Sequence, residues 1–213
     1  MTTPDKGILM VVSAPSGAGK TSVCREVLRE FPEIRFSISY TTRPRRPGET
    51  EGIDYFFVPE EEFRRRIGAG WFVEWTEHFG YYYGTSRRIL EETLNRGCDL
   101  MLDIDTEGAK KIREAFPEAV FVFILPPSME ILRERLEKRG SEQPEALEKR
   151  MRKAYNEIRE VFRYDYAILN DRIPLAVERL KSVYIAEKCR SERLKDSINK
   201  VFGLEESNGK NHR

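Results

Sequence analysis

Short apolar runs alternate along the chain with longer stretches whose apolar positions recur every three or four residues. Ile8–Ser13 is compact and rich in β-branched side chains, which reads as a buried strand. A helix is predicted from about Gly19 to Glu30, ending near Pro32. Further strands are predicted at Arg35–Tyr40, Leu100–Ile104, Val120–Leu125 and Ala167–Leu169. Helical periods lie at Thr106–Phe116, Met129–Lys138, Glu145–Phe162 and, as one long element, from Leu175 to about Val201. Continuous apolar strands separated by helices predict an α/β fold, a mainly parallel sheet covered on both faces.

The stretch from Asp54 to Ser86 breaks this rhythm. Asp54–Val58 and Trp71–Thr76 read as strands, and a turn at Phe79-Gly80-Tyr81 leads into another at Tyr82. Their close spacing predicts antiparallel pairing in a small subdomain inserted into the core. Residues 140–150 read as a flexible connection between two helices, and the polar chain from Gly203 onward as a disordered tail.

The balance of 37 basic against 36 acidic residues gives a formal net charge of +1, so overall charge drives the chain toward neither nucleic acid nor membrane. Anion binding must come from local placement of Arg and Lys. Cys24, Cys98 and Cys189 are far apart and form no CxxC pair, which argues for reduced thiols and a cytoplasmic address. Nothing at the start of the chain is long enough for a signal or spanning segment.

The sharpest motif is Ala14-Pro15-Ser16-Gly17-Ala18-Gly19-Lys20-Thr21, directly after an apolar strand and opening a helix. A phosphate chain needs backbone N–H groups at close range, and Gly17 and Gly19 supply turns that a side chain would obstruct. Lys20 can bridge the β- and γ-phosphates, and the Thr21 hydroxyl can bind Mg²⁺. The general motif opens with Gly where this chain has Ala14, the mildest replacement. A partner carboxylate is expected at the end of a neighbouring strand; Asp103 fits, with Asp105 two residues on, where it can equally cap the following helix.

A second block, Ser37-Ile38-Ser39-Tyr40-Thr41-Thr42-Arg43-Pro44-Arg45-Arg46-Pro47-Gly48-Glu49, continues into Gly52-Ile53-Asp54-Tyr55. Together with Glu74-Trp75 and Tyr82-Tyr83-Gly84-Thr85, it resembles the guanylate kinase family from about residue 8 to residue 190. The resemblance implies a P-loop NTPase-type core (1–34, 87–127 and 161–202), a mixed α/β GMP-binding subdomain (35–86) and a short helical lid (128–160). The tail takes up 203–213. The implied reaction is Mg²⁺-dependent transfer of the ATP γ-phosphate to GMP, and to dGMP, with no nucleic-acid or membrane partner.

By the same resemblance, Arg43, Arg46, Tyr55 and Tyr83 grip the GMP phosphate, and Ser39, Glu74 and Thr85 read the base, with Asp103 and Asp105 on the GMP side. One ionised carboxylate can accept both guanine N1–H and the N2 amino group, a donor pair that adenine lacks. Strand alternation puts Trp71, Val73 and Trp75 on one face and Phe72, Glu74 and Thr76 on the other. Arg135, Arg139 and Arg150 become lid arginines that meet the ATP phosphates, and Asn170 lies beside the adenine ring. Taken without the resemblance, Arg43–Arg46 also fits a solvated basic loop, Tyr83 aromatic packing, Glu74 an exposed edge position, the lid arginines solvated helix positions and Asn170 a turn. Arg64-Arg65-Arg66, one helical turn after Glu60-Glu61-Glu62, reads as a salt-bridged surface face. A scaffold domain without nucleotide chemistry, a kinase for another small acceptor and RNA binding through the basic loop Arg43–Arg46 are the competing functions, the near-neutral charge speaking against the last.

Overall fold

The computed structural model describes residues 6–78, 80–139 and 144–204, with the side chains of Arg139 and Pro144 left aside. Its first sheet has strands β1 (Leu9–Ser13), β2 (Arg35–Phe36), β7 (Leu100–Asp103), β8 (Val120–Leu125) and β9 (Tyr166–Leu169), in the order β2-β7-β1-β8-β9. Every pairing in it is parallel. Pleating splits the sides of β1. Met10 and Val12 pack toward α1 (Lys20–Glu30) and α7 (Ile173–Lys188). Leu9 and Val11 pack toward α3 (Arg87–Asn95) and α4 (Thr106–Ala115). Both faces are covered, as the continuous apolar runs require.

The buried Asp99 ties three elements of this core together. Its carboxylate accepts from the Ile8 amide (2.7 Å), the Tyr184 hydroxyl (2.7 Å) and the Lys188 ammonium (2.9 Å). Burial works against its charge, but these donors hold its pKa below the usual carboxylate range.

The second sheet, in the order β4-β3-β6-β5, contains β3 (Tyr40–Thr41), β4 (Phe56–Phe57), β5 (Phe72–His78) and β6 (Tyr81–Ser86). Its core is aromatic: Tyr40, Phe63, Phe72 and Tyr82 are buried together, with Phe63 from α2 (Glu60–Gly68) stacked on Phe72 at 4.4 Å. The basic triplet does lie on a salt-bridged face, with Arg64 on Glu60 (2.8 Å) and Arg66 on Glu62 (2.5 Å).

Four expectations need correction. The run Arg35–Tyr40 is not one strand. It leaves the first sheet after Phe36 and joins the second at Tyr40, a change of ladder that apolar patterning cannot reveal. β3 and β4 pair in parallel, because the long connection between them brings the chain back in the same direction. β5 carries a register shift between Phe72 and Glu74, so Phe72 and Trp75 share the aromatic cluster while Val73 packs into the first core. The predicted long C-terminal helix is two, α7 and α8 (Lys195–Phe202). It breaks where buried Glu187 accepts from Tyr166 (2.7 Å) and draws in Arg190 (3.4 Å) and Arg193 (3.3 Å).

Between β8 and β9, α5 (Met129–Arg139) and α6 (Pro144–Arg159) pack through Leu132, Leu136, Met151 and Ala154, where the short helical lid was expected. Of the expected flexible connection, 140–143 lie outside the described residues while 144–150 are the first turns of α6; most of the expected tail also lies outside them, as does the Arg139 side chain.

Candidate active site

The phosphate loop forms as its sequence predicts. β1 ends at Ser13, the chain turns through Ala14–Gly19, and α1 starts at Lys20. Gly17 and Gly19 take φ values of 92° and 91°, which L-residues with a side chain rarely adopt. Ala14 and Ala18 are buried under the loop, so a methyl group is accommodated where the general motif has its first Gly. The first amides of α1 have no acceptor within the helix and open onto the loop.

β7 lies directly beside β1 with Asp103 level with Val12, which sets the carboxylate next to the phosphate loop. Lys20 forms an ion pair with Asp103 and donates to the Ile104 carbonyl (3.1 Å). Burial lowers the Lys20 pKa, but the charge and hydrogen bond of Asp103 outweigh it, so the net shift is upward and the ammonium persists. The Thr21 hydroxyl donates to the other Asp103 oxygen (3.3 Å).

Asn170 and Arg135 brace the loop from the far side. The buried Asn170 amide donates to the Ala18 carbonyl (2.6 Å), and Arg135 reaches the same carbonyl (3.4 Å) and that of Asn170 (3.3 Å). A Cβ on Gly19 would lie 2.4 Å from the Asn170 nitrogen, so glycine is needed there for close approach as well as for φ. The structure therefore gives Asn170 a contact that neither a turn former nor an adenine neighbour requires.

A cleft of about 260 Å³ runs over the loop, lined by Ala14–Gly17, Gly19, Lys20, Thr21, Asp103, Asp105 and Arg150. His78, Lys153 and Glu157, which the motifs did not single out, complete its wall. A neighbouring cleft of about 490 Å³ includes Thr21, Ser39, Tyr55 and again Asp103, which stands between the two.

On the acceptor side Arg43 is buried and clamped. Its guanidinium meets Glu49 (2.6 Å) and the Pro44 carbonyl (2.8 Å), and lies 5.3 Å from the centre of the Tyr55 ring. Tyr55 and Tyr83 meet edge to face at 6.0 Å. The second Glu49 oxygen accepts from the Arg46 amide (2.8 Å), while the Arg46 side chain is exposed. Glu49 stood inside the quoted motif without a role. Its position three residues after Arg46, behind Pro47-Gly48, was the available sign of a turn-closing carboxylate.

Glu74 is only 5% exposed, which rules out the exposed edge position. It accepts from the Thr85 hydroxyl (2.6 Å), and its other oxygen comes so near α4 that a Cβ on Gly108 would lie 2.9 Å away. Burial pushes its pKa up to about 7, with the Asp105 charge adding to the rise while Thr85 and Lys111 oppose it. Asp105 does cap α4, accepting from the Gly108 amide (2.8 Å), and its second oxygen faces the Thr76 hydroxyl (3.5 Å).

A phosphate loop on a parallel sheet, facing a second arm with a clamped arginine and a buried carboxylate, defines a P-loop phosphotransferase with a separate acceptor site. Residues 6–187 match the guanylate kinase family model. The guanylate kinase of Geobacter sulfurreducens is 52% identical over 94% of this chain and 98% of its own, and that of Symbiobacterium thermophilum is 51% identical over 91% and 92%. The crystal structure of guanylate kinase from Anaplasma phagocytophilum superposes with a TM-score of 0.77 at 35% identity, covering 95% of this chain and 99% of that one. The chain belongs to the guanylate kinase family and is a nucleoside monophosphate kinase.

Proposed function

We propose that the chain transfers the γ-phosphate of ATP to GMP, and also to dGMP, giving ADP and the guanine nucleoside diphosphate, and that it does so in the cytoplasm. The chain is an ATP:GMP phosphotransferase. The observation that carries the acceptor assignment is Glu74: a buried carboxylate, held by Thr85, on the strand of the acceptor arm. Once ionised it accepts guanine N1–H and N2–H together, and adenine offers no such pair. Ser39 donates to O6 or N7, Thr85 keeps its one hydroxyl proton on Glu74, and Arg43, Arg46, Tyr55 and Tyr83 hold the acceptor phosphate. Asp103 and Asp105 face the acceptor from the core. In this reading α5 and α6 form the lid, with Arg135, Arg139 and Arg150 on the ATP phosphates.

The attacking group is an acceptor phosphate oxygen that is largely ionised at neutral pH, so no strong general base is required. A bond forms from that oxygen to the γ-phosphorus as the bond to the β–γ bridging oxygen breaks, and ADP leaves with the electrons. Lys20, the loop amides and the arginines of both arms hold the negative charge in line. Closure of the two arms excludes water, which would otherwise take the phosphoryl group.

Thr21 and Asp103 fit Mg²⁺. Both are hard oxygen donors beside the phosphate loop, and among the described residues no group of three or more His, Cys, Asp or Glu forms a dedicated metal cage. Magnesium is commonly held by one or two protein oxygens together with phosphates and water. It neutralises phosphate charge when bound. Diphosphate formation measured by phosphorus NMR with ATP and GMP or dGMP is expected to proceed with Mg²⁺ and stop on chelation; turnover that survives chelation would overturn this assignment.

The Glu74 titration has a definite sign. Its folded pKa is raised to about 7, so the carboxyl is protonated below that value and ionised above it, and binding guanine requires the ionised form. The Kd for GMP is expected to rise up to about tenfold per pH unit as pH falls below the Glu74 pKa. Titration calorimetry between about pH 6.5 and about 8.5, above the second phosphate ionisation near 6, isolates the effect. A flat Kd with no proton release would contradict it.

A further inference from the structure

The cleft over the phosphate loop contains three groups that the reaction above leaves unused: His78, Lys153 and Glu157. His78 is the last residue of β5, the strand that carries Glu74. Lys153 lies in α6 one turn beyond Arg150, so the two side chains leave the helix on neighbouring faces. The Lys153 ammonium is 2.8 Å from Nδ1 of His78. An ammonium has only donors, so Nδ1 is the acceptor and the ring is neutral with its proton on Nε2. Glu157, one turn further along α6, lies 3.7 Å from the same ammonium and helps to aim it.

We propose that His78 and Lys153 are positioning residues that tie the acceptor arm to the lid, so that each nucleotide strengthens binding of the other. The proposal rests on the reading that both arms close over the phosphates. Anchoring Lys153 to β5 fixes the turn of α6 that carries Arg150 toward the phosphate cleft. It also joins the strand of the base-reading carboxylate to the helix of a phosphate-facing arginine. A contact made only when both arms are closed couples the two sites, and such coupling is reciprocal.

The electrostatics agree with the geometry. Burial lowers the His78 pKa from its ordinary value, Lys153 lowers it further, Asp105 opposes, and Arg150 again lowers it. Of the charged groups lining this cleft, α6 contributes Arg150, Lys153 and Glu157, the turn before α4 Asp105, and the phosphate loop and β7 Lys20 and Asp103; Lys153, Asp105 and Arg150 act on the ring. Protonating His78 would place a cation against Lys153 and Arg150, so the tie holds at neutral pH and is lost as pH falls.

The test is the Kd for GMP with and without a non-hydrolysable ATP analogue plus Mg²⁺, in the full chain and in His78→Ala, Lys153→Met and the double variant. Wild type is expected to bind GMP more tightly with the analogue. Each single variant should lose about 3- to 10-fold of that gain, and the double variant no more than either. His78→Gln, which keeps an acceptor that does not titrate, should retain coupling as pH falls, where wild type loses it. Additive losses, or full coupling in both single variants, would overturn the proposal. Wild type that phosphorylates GMP yet shows no coupling would overturn this inference alone. Failure to phosphorylate GMP at all would remove the reading beneath it.

Discussion

Replacing Lys20 by Met is expected to lower phosphoryl transfer to every acceptor by about 10²- to 10³-fold, the effect of deleting one fixed donor from a transition state that gathers charge. The side chain is half-buried at the opening of α1, charged, and aimed by Asp103 and the Ile104 carbonyl across the strand pair β1–β7. Its loss removes a cation from the γ-phosphate and touches no residue of the acceptor arm. GMP binding should therefore survive while kcat collapses. Single-turnover kinetics together with GMP titration separate the two; equal losses in both would place Lys20 in a general structural role. Asp103 loses its ion-pair partner in this variant, so a melting curve must accompany the kinetics.

The second large effect is at the base. Glu74→Gln keeps the shape of the side chain but replaces one accepting oxygen by a donor, which then faces a guanine donor. Two hydrogen bonds to a charged acceptor contribute about 1.5–3 kcal/mol each, so kcat/KM for GMP should fall by about 10²- to 10⁴-fold. AMP, which never used that carboxylate, should be affected far less, and the preference for guanine should collapse. The substitution also removes the titrating group, so the dependence of GMP affinity on pH near neutrality should disappear with it. Steady-state rates with both acceptors across pH read out both consequences. Unchanged acceptor preference would remove Glu74 from the base site.

Much of this was legible before any coordinates. The phosphate loop is a local code: strand, two glycines, Lys20, Thr21 and a helix start are consecutive, and each has a backbone or charge reason to be there. The parallel core was legible because buried strands read as unbroken apolar runs. What escaped depends on contacts distant in sequence. Arg35–Tyr40 shows one apolar pattern but serves two sheets. The register shift in β5 sends Phe72 into the aromatic cluster beside Trp75, against simple alternation, while Glu74 still meets Thr85.

The site shows the same division. Glu74 was pointed to by the family resemblance, with which the chemistry of guanine agrees, yet its burial and its approach to Gly108 depend on α4 packing against β5. Asn170 bracing the Ala18 carbonyl from 152 positions away, and Lys153 meeting His78 from 75 away, leave no local trace at all. Motifs report groups that must touch the ligand. They say little about the residues that hold those groups in place.

The most direct test of the account is ADP formation by the purified protein with ATP and Mg²⁺, offered GMP, dGMP, AMP, UMP and CMP in turn. Rapid turnover with GMP and dGMP, and only trace turnover with the other three, is the predicted result. Comparable turnover with AMP or a pyrimidine nucleotide would leave the phosphate loop standing and contradict the claim that a buried carboxylate selects guanine.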